Sequence, residues 1–85
     1  MFDKLKQIKK LKELRDSFSQ EKEEVEKKGT KVIINGKLEI ENIQLNPDLN
    51  KEEQEMVLKE CINEAVKKIQ MVLASKMSQM QDFSL

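Results

Sequence analysis

Histidine, tryptophan and tyrosine are absent from this 85-residue chain, which holds one cysteine, Cys61, one proline, Pro47, and two glycines, Gly29 and Gly36. With no histidine and a single thiol there is no Cys/His set for a metal and no pair for an internal disulfide. The usual general base is missing, no Ser or Cys stands beside a substitute, and no glycine-rich loop is built to cradle phosphate. No catalytic residue, metal site, cofactor or small-molecule substrate is therefore expected. No apolar run approaches the roughly 18 to 20 residues of a membrane span, and the N-terminus lacks an apolar signal region, so a cytoplasmic chain without a membrane partner is expected. Scarce Gly and Pro with 38% charged and 38% apolar residues indicate one mostly helical domain over 1–85 with a small core. Cys61, between Glu60 and Ile62, reads as a small core hydrophobe.

What is present is charge, zero in sum but unevenly spread. Lys4, Lys6, Lys9, Lys10, Lys12 and Arg15 against Asp3 and Glu13 give residues 1–15 a net +4, whereas residues 47–64 carry a net −4. One end of the molecule should be basic and another acidic.

Phe2, Leu5, Ile8, Leu11, Leu14, Phe18 and Val25 recur mainly at three- and four-residue spacing, which predicts one amphipathic helix over about 2–28, ended by Gly29. Its stripe from Leu11 is narrow, like a coiled-coil seam with Glu21 in one apolar place. Glu23 with Lys27 and Glu24 with Lys28 read as helix-surface pairs. A hairpin follows over Lys31 to Leu45, with Asn35-Gly36 as a two-residue turn whose central residues need positive φ. That turn sets Ile34 opposite Lys37, Ile33 opposite Leu38 and Val32 opposite Glu39. Ile33, Leu38 and Ile40 then share one face and Val32 and Ile34 the other, with a bulge at Glu41-Asn42 returning Ile43 and Leu45 to the face of Ile40. After Asn46-Pro47-Asp48-Leu49 a second helix is predicted over about 50–80, capped by Asn50 with Glu53 in a capping box. Its apolar face is Leu58, Ile62, Ala65, Val66, Ile69, Val72, Leu73, Met77 and Met80, and residues 81–85 read as frayed.

Helices of this length, about 40 and 45 Å, outreach a compact 85-residue body of about 12 Å radius of gyration. A ribbon apolar on both faces also needs covering. A symmetric homodimer satisfies both, with Val32, Ile34, Leu38, Ile40 and Ile43 as its interface.

The order of a Lys/Gln/Glu-rich first helix, Lys31-Val32-Ile33-Ile34-Asn35-Gly36, Ile43-Gln44-Leu45-Asn46-Pro47-Asp48-Leu49 and then Asn63-Glu64-Ala65 resembles the YbaB/EbfC nucleoid-associated proteins over about residues 2–80. The resemblance implies an α+β fold: an α-β-β-α subunit, its small antiparallel hairpin set between two long helices, in a tweezer-like homodimer. It also implies binding to duplex DNA with low sequence specificity in the bacterial nucleoid.

Independently of that resemblance, Lys4, Lys6, Lys9, Lys10, Lys12 and Arg15 are the functional candidates supplied by charge, since such a cluster neutralises phosphates without reading bases. One Arg and no helix-turn-helix spacing argue against base-specific recognition. Phe2, Phe18 and Phe83 form no stacking platform for single strands. Two other uses of the same features are an interfacial membrane helix over Phe2 to Arg15 and a protein-protein adaptor that offers its helical arms to a partner.

Overall fold

In the computed structural model, which describes residues 9, 12, 13 and 15–79, helix gives way to strand shortly after Ser19. Residues 9, 12, 13 and 15–19 are helical (α1). The helix closes tightly: the Ser19 hydroxyl donates to the Asp16 carbonyl at 2.8 Å, and the Gln20 and Glu21 amides donate to the carbonyls of Ser17 and Phe18. Short i to i−3 bonds of this kind satisfy carbonyls that a helix end leaves free. The strands β1 (Lys22–Lys27), β2 (Thr30–Asn35) and β3 (Ile40–Gln44) form one antiparallel sheet in that order, and a single long helix α2 (Lys51–Gln79) follows. The architecture is α+β, but the subunit is not α-β-β-α with two long helices. The predicted helix over 2–28 is corrected beyond residue 19, where Lys22–Lys27 is a strand and Lys28 begins a turn.

Lys22–Lys27, KEEVEK, favours helix on propensity alone. Strand wins through its partners. Lys28 (φ 50°) and Gly29 (φ 81°) form a two-residue turn with both central φ positive, the arrangement that matches strand twist. Val25 then pairs with Val32 and is buried. The charges find partners across strands: Lys31 meets Glu24 at 3.4 Å and Lys27 meets Glu64 of α2 at 3.6 Å. The helical pairs Glu23–Lys27 and Glu24–Lys28 do not form, because residues four apart in a strand are separated by about 13 Å.

Asn35-Gly36 also needs correction, since it is not a two-residue turn. A four-residue loop, 36–39, joins β2 to β3, and the positive φ falls on Leu38 (64°), not on Gly36. Asn35 organises this loop: its Oδ1 accepts the amides of Lys37 and Glu39 at 2.8 and 3.1 Å, and its Nδ2 donates to Glu41. The pairing becomes Ile34 with Ile40, Ile33 with Asn42 and Val32 with Ile43, so Glu41 is the extra residue of a bulge where one was predicted. Val32, Ile34, Ile40 and Ile43 therefore share one face. Ile33 lies on the other.

The second helix forms much as the sequence indicates. The Asn50 side chain accepts the Glu53 amide at 2.8 Å, an N-cap. Asn46 ties this entry to the first hairpin by donating to the Lys28 carbonyl at 2.8 Å and accepting the Asp48 amide. Val57, Cys61, Ala65 and Ile69, at every fourth position, are buried on β1 and β2 with Val25, Val32 and Ile34. Cys61 is thus core, Val57 belongs to the face too, and Met77 is exposed. The body is elongated, 59 × 18 × 14 Å with a radius of gyration of 17.1 Å, well above the roughly 12 Å of a compact chain this long.

Candidate nucleic-acid interface

Of the six cations singled out in the first helix, Lys9, Lys12 and Arg15 are helical and exposed, while Lys4, Lys6 and Lys10 lie outside the described residues. Three-residue steps on a 3.6-residue helix turn by −60° each, so these three cover an arc of about 120°. Asp16, also exposed, falls inside that arc between Lys9 and Lys12, and exposed Glu13 borders it. None of the three cations pairs with an acid among the described residues.

Position adds to composition. The root of α1 lies against the C-terminal part of α2, where Lys76 Nζ donates to the Ser17 carbonyl at 3.1 Å and meets Glu21 at 2.7 Å. That stretch of α2, residues 66–79, contains Lys67, Lys68 and Lys76 and no acid. The acidic first turns of α2 begin at Glu52 and Glu53. With 1.5 Å of rise per residue they lie about 36 Å from Lys76 along the axis. The basic arm thus leaves the body at its basic end.

The proposed interface residues separate into two groups. Val32 and Ile34 are fully buried beneath the chain's own α2, whereas Leu38, Ile40 and Ile43 are 52%, 38% and 42% exposed. Ile40 and Ile43 lie on the helix-bearing face of the sheet, but α2 packs on β1 and β2 and leaves β3 open. The Lys27–Glu64 ion pair fixes which flank of α2 overhangs β1. Helix geometry puts half-buried Leu58, Ile62 and Val66 on the opposite flank, toward β3. Those side chains and β3 form an apolar shelf.

On the outer face Glu41 accepts from Asn35 Nδ2 and pairs with Lys22 at 3.0 Å. The Asn35 hydrogen bond, followed by the Lys22 contact, holds its carboxyl below the usual glutamate range. Burial pushes the Cys61 thiol up, and its Sγ donates to the Thr30 carbonyl at 3.7 Å. Sequence reasoning missed Lys76, which lies 59 residues from Ser17, because no local pattern marks a partner so remote. Among the described residues no helix is long and apolar enough to cross a membrane. No family model matches the chain, and no curated protein sequence matches it.

Proposed function

We propose that this protein is a non-enzymatic, weakly sequence-specific duplex-DNA binder of the nucleoid-associated YbaB/EbfC type. In this reading it acts in the cytoplasm as a homodimer with its basic arms on the phosphate backbone. The observation that carries the reading is the polarity of the molecule: exposed Lys9, Lys12 and Arg15 stand on an arm rooted at the acid-free end of α2, far from the acidic end. A polyanion could approach the arms without meeting the Glu-rich turns. The apolar shelf beside β3 supports pairing of two such chains, which doubles the arm charge presented to one duplex.

Replacing Lys6, Lys9, Lys10 and Lys12 together with Gln tests it. Anisotropy titrations on two unrelated duplexes at low and moderate salt should show affinity lost about equally on both. Each lost phosphate contact should flatten the plot of log affinity against log salt by about one unit. Circular dichroism should barely change, because Gln keeps helix propensity. Equal affinity and slope in parent and variant would move the DNA site elsewhere. No binding by the parent at low salt would leave the adaptor reading, which the open apolar shelf also favours.

A further inference from the structure

The geometry points to Lys76 as a latch that fixes the direction of the basic arm relative to α2, so that among the described residues the arm is a lever held at two points. The first point is the β2–β3 loop. The Gly36 amide donates to the Glu21 carbonyl at 2.9 Å, and a Cβ at Gly36 would stand only 1.6 Å from the Phe18 carbonyl oxygen. That closeness shows how tightly the loop backbone is laid on the end of α1. One attachment of this kind fixes where the arm begins and still lets it swivel.

Lys76 supplies the second, from α2. Its ammonium bridges the Ser17 carbonyl at 3.1 Å and the Glu21 carboxylate at 2.7 Å, one in the last turn of α1 and one just after it. A cation suits the negative end of a helix dipole. The site is also shielded, Lys76 and Glu21 having side chains 24% and 33% exposed, so salt screens it less than it screens an open surface pair. Two attachments on different elements, a sheet loop and α2, remove the swivel. Among the described residues the apolar contacts of α2 with the core end at Leu73, and a helix that served only the core could stop one turn earlier.

The inference concerns the posture of the arm and rests on the proposed DNA role only for its consequence. An arm held in place binds without first being ordered, so releasing it lowers affinity through entropy. The test is the amide residual dipolar couplings of residues 15–19 and of α2 and the sheet, measured on the whole protein without DNA. In the parent, one alignment tensor should fit arm and body together. In Lys76→Gln and in Glu21→Gln the arm couplings should shrink and leave that tensor while the body couplings stay, and Lys76→Arg, which keeps both contacts, should restore the shared fit. Unchanged arm couplings in both Gln variants would overturn the latch. Collapse of the body couplings would overturn it as well, since Lys76 would then be a support of the core. In parallel, Lys76→Gln should weaken duplex binding several-fold with an unaltered salt slope. A slope lower by about one unit with the arm couplings intact would make Lys76 a phosphate contact. If the parent binds no DNA, the DNA reading fails while the coupling result decides the latch independently.

Discussion

Gly36 and Gly29 are both indispensable for reasons that differ, and the difference is measurable. Gly29 is required by its backbone, with φ 81° in the Lys28-Gly29 turn, while the nearest obstacle to a Cβ is a movable amide, Asn46 Nδ2 at 2.8 Å. Ala there should cost about 1–2 kcal/mol of left-handed strain. Gly36 has no such φ, yet its Cβ would be driven into the Phe18 main chain, which has no rotamer to give. Gly36→Ala should therefore destabilise by about 3 kcal/mol, at the upper end of overpacking costs, and more than Gly29→Ala in urea melts; the reverse order would contradict the close approach of α1. Thr30 makes an opposite case. It is fully buried and its hydroxyl has no partner among the described residues. Thr30→Val replaces an unsatisfied polar atom by a methyl of the same shape, and should stabilise by about 1 kcal/mol. A drop in melting temperature would mean that the hydroxyl is bonded.

The elements differ in how far local sequence specifies them. In α2, the Asn50 cap and the recurrence of apolar residues agree with the packing, and the helix starts at Lys51, one residue after the expected start, and runs to Gln79, the last described residue. The bulge at Glu41 was legible too, from the broken alternation between Ile40 and Ile43. What misled was β1. Six residues with a single apolar member carry no strand signal of their own; only the Lys28-Gly29 turn and the mirror placement of Val25 and Val32 about it betray the hairpin, and Lys/Glu composition hides both. Likewise Asn35-Gly36 was read by turn chemistry, although Gly36 is there for a contact with a helix 18 residues earlier. The candidate arm cations were visible as charge, but their placement at the acid-free end of α2 depends on a remote contact. The β2–β3 connection makes a prediction at this scale. Glu41 is held ionised by Asn35 and Lys22, so its folded value lies below its unfolded one. The stability it contributes is present above the ordinary glutamate value of 4.5 and is lost as pH falls through the folded value. NMR titration should show the Glu41 carboxyl shifting late, and Glu41→Gln should remove part of the acid sensitivity of the Asn35 side-chain amide protons. A normal Glu41 titration would refute the contact.

For the whole molecule, the proposed homodimer is tested at the uncovered strand β3. Asn at both Ile40 and Ile43 should leave the fold intact and convert a dimer into monomer in sedimentation equilibrium, because both side chains are outside the chain's own core. Ile34→Asp, by contrast, should unfold the chain by burying an unpaired carboxylate. A double variant that stays dimeric would place the interface elsewhere. A sheet has two margins, and here they are unlike. The β1 margin presents Lys22, Glu23, Glu24, Glu26 and Lys27 around one inward valine, a composition that resists pairing with another strand. The β3 side is apolar and bulged. Chains that adhere by one side only, about a two-fold axis, consume that side on meeting and offer nothing to a third. In the proposed homodimer growth is thereby self-terminating: the same charged strand that its composition disguises as a helix keeps an open sheet from propagating into a fibre.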